Sequence, residues 1–338
     1  MAWLGPGSLI RDVAVVCNGE EISYAGPASE APEADEMLEL DGFMMPAAAD
    51  RHVHIGLSDP AAVLVGGVTA VRDLAWPADR IFSLADASEG PSFNGPLIRA
   101  AGPMLTAPGG YPVGESWAPP GTGLEVRSAD EARSAVEELA GRGAGQIKVS
   151  LNSDAGPTPD DATLVAICTT AASRGIPVTA HAQGKGEVER ALGAGVTELA
   201  HTPWTESLSD SLLDMMAKSM RIVSTLDILS FGRDTPEVRT ALDNMRRFIA
   251  AGGAVFYGTD LGNGAVPPGI HVGELGLMRQ AGLGAEPLME ALVRGPLAEG
   301  APADLIGLTE NPLEDLGAFE SLVLVVRNGQ VAWVRPEG

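Results

Sequence analysis

Cysteine and lysine are scarce in this chain of 338 residues, which has two cysteines and three lysines. Cys17 and Cys168 are far apart and offer neither a metal-binding spacing nor a disulfide framework, so we expect a reducing, cytoplasmic environment. Basic residues are outnumbered, because 22 lysines and arginines face 45 aspartates and glutamates for a formal net charge of −23. Phosphate backbones and anionic lipids repel so acidic a chain, so we expect no nucleic-acid and no membrane partner.

Long apolar runs are also missing from the sequence. No stretch approaches the roughly 20 apolar residues that a membrane span requires. The N-terminal segment lacks the basic and apolar regions of a signal peptide, so none is expected. The apolar content is nevertheless 45%, with regular glycine and proline, which is typical of an ordered globular protein. The length suits one large barrel with a small satellite domain. The sequence does not determine the oligomeric state, so a monomer and a homo-oligomer are both open.

Both ends of the chain carry a β-hairpin pattern. Residues 12–25 alternate around Asn18-Gly19, and residues 322–334 alternate around Asn328-Gly329. An Asn-Gly pair between alternating apolar residues is a strong signal for a two-residue hairpin turn. We therefore expect the two chain ends to pair into one small sheet domain.

Between these hairpins, short apolar strands alternate with helical stretches, which indicates a parallel sheet. Two of the helices are predicted at residues 128–143 and 160–175, where a capping serine and a closing glycine mark an end. Eight strands in about 250 residues is the size of a (β/α)₈ barrel. An open doubly wound sheet is the alternative, and it is less favoured because no glycine-rich phosphate motif follows the first strand. The predicted strands are residues 44–54, 68–74, 96–102, 145–150, 176–181, 196–201, 220–226 and 254–260.

These patterns together predict an α/β fold with two domains. Residues 44–299 would form a (β/α)₈ TIM-like barrel. Residues 1–43 and 300–338, from the two termini, would form a small β-sandwich domain.

Residues that can bind a metal stand at the ends of several predicted strands. In parallel α/β folds the functional sites lie at these carboxyl ends, and imidazole and carboxylate groups are ligands for divalent metals. Taken singly, each residue is as well explained as a hydrogen-bonded structural histidine or a capping aspartate. Taken together, they indicate a metal site. They are His52, His54, His181, His201 and Asp260.

Lys148 is flanked by Ile147 and Val149, so it is expected to face the barrel axis while its neighbours face the helices. A plain ammonium group among metal cations is unfavourable. Carboxylation by carbon dioxide would convert it to an anionic carbamate that can bridge two metals. The alternative is a lysine whose stem packs and whose head reaches out of the barrel. His271, at the start of a predicted helix, is expected to be structural.

In this order, the six residues resemble the metal ligands of the amidohydrolase superfamily, which are His-x-His on strand one, lysine on four, histidine on five and six, and aspartate on eight. Flanking segments are similar to the branch that holds metal-dependent prolidases and imidazolonepropionase-like proteins. They are GGVTAVRDL, GQIKVSLN, VTAHAQGKGEVERALGAGVTELAH, FYGTDLG and EGAPADLIGLTENPLEDL. The likeness covers nearly the whole chain. One departure is Tyr111, which stands where relatives often carry the histidine of a Gly-Gly-His segment.

The resemblance implies a binuclear metal-dependent hydrolase that cleaves an amide or cyclic amide C–N bond of a small molecule. It implies two divalent metal ions, with zinc as the expected metal, and an N6-carboxylated Lys148. Asp260 would bind a metal and act as general base and then general acid. Candidate substrate-binding residues on the loops after the strands are Tyr111, Arg72, Trp204 and Arg233. For each of them surface or core packing is the alternative, and Arg72 could instead pair with Asp73 or another acid.

Other interpretations remain open at this point. A mononuclear deaminase or imidazolone-type hydrolase resembles the same superfamily, but such relatives tend to have His-x-x-Glu after strand five and no lysine on strand four. This chain has His181-Ala-Gln-Gly184 and Lys148, which favours the binuclear form. A lactonase would keep the metal site and change the bond. A non-catalytic binding protein on the same scaffold is disfavoured by the intact ligand set.

Overall fold

The computed structural model describes residues 1–336 and shows a mixed α/β fold. Residues 337 and 338, which belong to the predicted terminal domain, lie outside the described part. The strands are β1 (Ala2–Gly5), β2 (Ser8–Ile10), β3 (Val13–Asn18), β4 (Glu21–Pro27), β5 (Phe43–Pro46), β6 (Ala48–Val53), β7 (Val68–Asp73), β8 (Leu97–Ala100), β9 (Met104–Thr106), β10 (Gly123–Glu125), β11 (Ile147–Asn152), β12 (Val178–Gln183), β13 (Glu198–Leu199), β14 (Arg221–Val223), β15 (Ala254–Phe256), β16 (Leu305–Leu308), β17 (Leu322–Arg327) and β18 (Gln330–Val334).

The helices alternate with the central strands. They are α1 (Pro60–Val65), α2 (Ala78–Ser88), α3 (Ala129–Gly141), α4 (Asp161–Ser173), α5 (Glu187–Ala194), α6 (Asp210–Ala217), α7 (Pro236–Ala250), α8 (Val272–Gln280) and α9 (Ala285–Leu292). The two helices predicted in detail are confirmed: Ser128 caps α3 by accepting from the Glu131 amide, and Asp160 caps α4 by accepting from the Thr163 amide. Among residues 1–336, no helix is long and apolar enough to cross a membrane.

The central strands form two parallel sheets. Seven strands lie in the order β10-β9-β11-β12-β13-β14-β15, and three more lie in the order β6-β7-β8. Every pairing within both sheets is parallel. Each of the eight predicted strands overlaps one of these parallel strands, so the parallel α/β arrangement is confirmed.

Backbone hydrogen bonds join the two parallel sheets to each other. At one seam the Gly145 amide donates to the Ala100 carbonyl over 3.1 Å. At the other seam the His54 amide donates to Leu261 over 2.7 Å, and the Asp260 amide donates to His52 over 2.8 Å. The second seam brings the carboxyl end of the first parallel strand beside that of the last one.

The predicted strand 96–102 is too long. The strand β8 stops at Ala100, and Gly102 adopts a φ of +77°, a left-handed conformation that glycine accepts without strain. After this bend the short strand β9 pairs with β11. The segment 107–122 between β9 and β10 then becomes a long loop.

The chain ends form a six-stranded sheet in the order β18-β17-β16-β5-β1-β2. Both predicted hairpins are present, as β3 with β4 and β17 with β18. The two hairpins lie in different sheets, because β3 and β4 form a separate two-stranded sheet. The strands β1 and β2 occupy the edge of the larger sheet beside β5. The first hairpin instead contacts the chain before β16, where Ile22 and Ala301 share a hydrogen bond.

The predicted strand 44–54 also divides between two sheets. Phe43–Pro46 pairs antiparallel with Leu305–Leu308 in the terminal sheet, whereas Ala48–Val53 joins the parallel sheet. The change of partner falls at Ala47, whose amide donates to Asp304. One continuous apolar run therefore connects the two parts of the fold.

Candidate metal-dependent active site

The six predicted ligands come together. They all line one cavity of about 260 Å³ at the carboxyl ends of the parallel strands. His52 and His181 lie in strands β6 and β12, and Lys148 lies in β11, while His201 and Asp260 follow β13 and β15. All six residues are buried. Long-range pairing of the strands thus gathers residues that are separated by more than 200 positions.

His52, His54 and Asp260 form the tightest part of this cluster. The Nε2 atoms of both histidines lie 3.2 Å from the same Asp260 carboxylate oxygen, Oδ1. Each Nδ1 faces a main-chain carbonyl, that of Ala200 at 2.8 Å for His52 and that of Ala75 at 3.1 Å for His54. A carbonyl requires Nδ1 to be the protonated nitrogen, so Nε2 keeps its lone pair free for a metal.

The backbone of Asp260 is held in an unusual conformation. Its φ is +58°, in the left-handed region that non-glycine residues other than Asn and Asp rarely adopt. The Asn263 side chain donates to Oδ2 over 3.1 Å. Oδ1 has no hydrogen-bond donor among the described residues, which leaves that oxygen free toward the two imidazoles.

Asp50 supports this part of the cluster, although it was not predicted. Its Oδ1 accepts hydrogen bonds from the His52 amide at 2.9 Å and from the Thr259 amide at 3.1 Å. It therefore ties the first parallel strand to the segment that carries Asp260. Burial raises the pKa of Asp50 to about 6, against the hydrogen bonds that lower it. Its position two residues before His52, on the same strand face, is the sequence signal that could have identified it.

His181 and His201 form the second part of the cluster. His181 Nδ1 and His201 Nε2 lie 2.9 Å apart, and their rings meet edge to face. His201 Nδ1 contacts the Thr225 hydroxyl at 2.9 Å, and His181 Nε2 contacts the Asn152 amide nitrogen at 3.1 Å. Two ring nitrogens that face each other at this distance can converge on one cation once their lone pairs are free.

Burial keeps three of these imidazoles neutral. It lowers the pKa of His201 to about 3 and those of His52 and His181 well below the usual value. In His54, burial also favours the neutral ring, but the nearby Asp260 and Asp73 carboxylates and the Ala75 carbonyl together outweigh burial and raise the pKa. For Asp260, burial favours the protonated acid, and the facing His52 and His54 rings outweigh burial and lower its pKa. Neutral imidazole and ionised carboxylate are the forms that bind metals.

Lys148 is fully buried, and its Nζ has no hydrogen-bond partner among residues 1–336. Burial lowers the pKa of its amine to about 7. An unpartnered amine in a closed interior is costly. The side chain therefore needs a partner that the protein itself does not provide.

Of the four substrate candidates, Tyr111 lines the cavity. Its ring stacks on His181 with centroids 4.9 Å apart and an interplanar angle of 26°. Trp117, from the same loop, lies 4.7 Å from His54. Burial raises the pKa of Tyr111, so the phenol stays protonated and remains a hydrogen-bond donor at neutral pH.

The other three candidates lie outside the cavity lining. Arg72 forms an ion pair with Glu198 at 2.7 Å and also donates to the Arg51 carbonyl. Trp204 is half-buried and packs against the core, and Arg233 is exposed. We therefore retain only Tyr111 as a proposed substrate contact.

Sequence reasoning missed several polar residues around the cluster. Asn152 and Gln183 lie side by side in the register of β11 and β12, and Asn152 donates to Gln183 over 3.2 Å. Asn152 shares a strand face with Lys148, and Gln183 shares one with His181, so a period of two could have identified both. Thr225 has no such signal because it lies in an irregular segment. His271, expected to be structural, precedes α8 and pairs with Asp227 at 2.7 Å.

Comparison with known proteins finds relatives that cover most of the chain. Ochratoxinase of Aspergillus niger is 25% identical over 94% of this chain and 81% of its own length. Its crystal structure matches with a TM-score of 0.82 at 22% identity, covering 98% of this chain and 94% of that one. A putative prolidase from Bifidobacterium longum matches with a TM-score of 0.82 at 25% identity, covering 97% and 91%.

A shorter match is imidazolonepropionase of Caulobacter vibrioides, 40% identical over 62 residues, or 16% of each chain. No protein-family model matches the sequence. The relatives include a prolidase and an imidazolonepropionase, the two kinds of protein that the flanking segments indicated. The comparisons confirm that this chain resembles the amidohydrolase superfamily and its prolidase-like and imidazolonepropionase-like members.

Proposed function

We propose that the chain is a binuclear metal-dependent hydrolase that cleaves an amide or cyclic amide C–N bond of a small molecule. The observation that carries this proposal is that six ligand-type side chains, contributed from five strands, line a single cavity. The names of the relatives, ochratoxinase and prolidase, support hydrolysis of amide C–N bonds.

The proposed fold completes the parallel sheets into a closed (β/α)₈ barrel over residues 44–299. The hydrogen bonds at both seams between the two sheets support closure. Residues 1–43 and 300–338 would form the β-sandwich domain, which the six-stranded terminal sheet supports. The free cysteines Cys17 and Cys168 support a cytoplasmic setting.

The residues present fit divalent metals. Lys148 Nζ and Asp260 Oδ1 are buried polar atoms without a hydrogen-bond partner in the described chain, and buried polar groups normally have one. Four imidazoles and a carboxylate match the donors that zinc prefers, although manganese and iron accept the same groups. A metal would supply the partner that Asp260 Oδ1 lacks, and carboxylation of Lys148 would convert its amine to a group that can bind a metal.

His52, His54 and Asp260 would hold one metal, since their donor atoms lie within 4.8 Å of one another. His181 and His201 would hold the second. Lys148, once its amine has added to the carbon of carbon dioxide and released a proton, would contribute an anionic carbamate to both. Two divalent ions, with zinc preferred, and an N6-carboxylated Lys148 are therefore part of the proposal.

When bound, divalent metals lower the pKa of water toward about 7 and polarise a carbonyl. Asp260 accepts the proton of the attacking water and then donates it to the leaving nitrogen, as general base and general acid. The water oxygen bonds to the carbonyl carbon, the C–N bond breaks, and the products are a carboxylic acid and an amine. Tyr111 closes the cavity over His181 and lies in position to contact the substrate.

A mononuclear deaminase or imidazolone-type hydrolase is the second candidate. The compact group of His52, His54 and Asp260 favours it, because these residues alone satisfy a close metal-binding geometry among residues 1–336. A lactonase would use the same site on an ester. The number of bound metals and the bond cleaved distinguish these functions.

Protein purified without chelator is expected to contain close to two equivalents of divalent metal per chain, with zinc predominating. The reason is that each of the two histidine groups brings together donor atoms that can hold one cation. Elemental analysis before and after metal addition measures this number. One equivalent that added metal does not increase would support the mononuclear candidate instead.

The reaction itself is tested with metal-reconstituted protein on a panel of N-acyl amines, N-acyl amino acids, dipeptides, lactams, lactones and aminopurines. We expect cleavage of an amide or lactam, with release of one amine per bond. Ammonia released from an aminopurine, with no amide cleaved, would replace this proposal with the deaminase. Preference for lactones over every amide would be consistent with the same metal site but would show that the bond cleaved is an ester.

A further inference from the structure

The cavity that holds the ligand cluster is otherwise lined by uncharged side chains. Within the described chain, every lining side chain outside the six ligands is neutral, among them Met104, Ile228 and Asn263. Two half-buried arginines nearby are engaged in other contacts. Arg72 is paired with Glu198, and Arg51 donates to four main-chain carbonyls.

The two aromatic side chains of the lining pack against the histidine cluster. The rings of Tyr111 and Trp117 lie 6.1 Å apart, and each rests against an imidazole of the ligand cluster. Rings supported in this way lose little freedom when a ligand binds. They offer a flat ligand an offset or edge-to-face contact.

The polar part of the lining includes a hydrogen-bond donor. Gln183 uses Oε1 to accept from Asn152, and its Nε2 makes no hydrogen bond with residues 1–336. An uncharged carboxamide that retains free N–H groups suits a carbonyl or ring acceptor. It contributes no positive charge to a carboxylate.

We propose that the substrate is an uncharged amide that carries a planar aromatic ring. This inference rests on the proposed function and specifies its substrate class. Binding would transfer a substrate carboxylate from water into the cavity. The lining that the described residues form outside the ligand cluster has no cation to pair with that carboxylate, so the transfer carries a substantial free-energy cost. The formal charge of −23 opposes anions further.

Matched compounds test charge and aromaticity separately on metal-loaded protein. N-acetyl-2-phenylethylamine and N-acetylphenylalanine differ only by a carboxylate. N-acetyl-2-cyclohexylethylamine removes the aromaticity instead. We expect kcat/KM for N-acetyl-2-phenylethylamine to be about tenfold or more above kcat/KM for N-acetylphenylalanine. We expect it to be about two- to tenfold above kcat/KM for N-acetyl-2-cyclohexylethylamine.

Two variants connect these preferences to the cavity. Ile228→Lys places a cation in the lining. We expect it to lower the ratio of kcat/KM for N-acetyl-2-phenylethylamine to kcat/KM for N-acetylphenylalanine by at least about tenfold. Trp117→Leu is expected to remove most of the preference for phenyl over cyclohexyl. Trp333→Leu, a matched loss of tryptophan on β18 in the terminal sheet, should leave both ratios unchanged.

Binding of the uncleavable methanesulfonyl analogues of the three compounds, measured by calorimetry, separates this inference from the reaction. Tighter binding of the neutral phenyl analogue supports the substrate class, whatever the turnover. Equal or tighter binding of the acid overturns it, even if amides are cleaved. Failure to cleave any amide, with the neutral analogue still preferred, would count against the proposed reaction alone.

Discussion

Asp260→Asn is expected to lower turnover by about two to four orders of magnitude while the fold stays intact. The carboxamide has the shape of the carboxylate, but it cannot accept the proton of the attacking water. Asparagine is the right replacement because it also tolerates the left-handed backbone at this position, where φ is +58°. Steady-state kinetics on metal-reconstituted protein, alongside a thermal melt, measure both effects.

Asp214→Asn is the matched control, since Asp214 is exposed on helix α6. It removes the same charge far from the cavity and should leave turnover unchanged. Metal content is measured in both variants, because an amide is a weaker ligand than a carboxylate. Comparable turnover in Asp260→Asn and the parent, at equal metal content, would exclude the proton-transfer role.

Lys148→Met is expected to lose at least one equivalent of metal and to lower activity by at least about a hundredfold. Methionine fills the space of the lysine stem in the core, so the packing is largely preserved. What it removes is the nitrogen that would carry the carbamate. Elemental analysis and steady-state kinetics on the same preparation test the two losses together.

Lys218→Met, at the end of helix α6, is the control for loss of a lysine elsewhere. A smaller replacement, Lys148→Ala, leaves room for acetate or propionate, which should restore part of the activity. In the parent protein, ¹³C-labelled bicarbonate should produce a carbamate carbon signal in the NMR spectrum that Lys148→Met lacks. Full activity and two metals in Lys148→Met would rule out the bridging role.

The convergence of the six predicted ligand residues could be expected from one regularity of parallel sheets. The carboxyl ends of parallel strands meet at one edge, so His52, His181 and Asp260 were expected to converge from their positions after apolar runs. The structure places them around one cavity, together with Lys148 and His201. Local patterning was sufficient here because each residue's place on its own strand decided where it would lie.

The partner of a given hairpin was not predictable in the same way. Asn18-Gly19 correctly predicted the turn between β3 and β4, since turn geometry is local. The sheet that this hairpin joins depends on which strand reaches the free edge beside β5. That edge is occupied by β1, Ala2–Gly5, a four-residue run with no strong alternation.

Substrate contacts were the least predictable part of the site. The sequence left Arg72 open either as a substrate contact or as the partner of an acid, and its side chain pairs with Glu198, 126 positions away. Trp204 follows His201 closely, yet it packs on the core rather than in the cavity. Trp117 reaches the ligand cluster only because the loop between β9 and β10 folds back over His54.

The sequence by itself determined the alternation of parallel strands and helices, the hairpin turns and the order of the six predicted ligand residues. These features follow from periods of two or 3.6 residues and from glycine and asparagine at turns, which act over a few positions. The tertiary structure alone decided the contact distances, the support of Asp260 by Asp50 and the aromatic wall of Tyr111 and Trp117. These three features depend on the paths of loops and on contacts between segments distant in the sequence. Local sequence patterns do not predict such contacts.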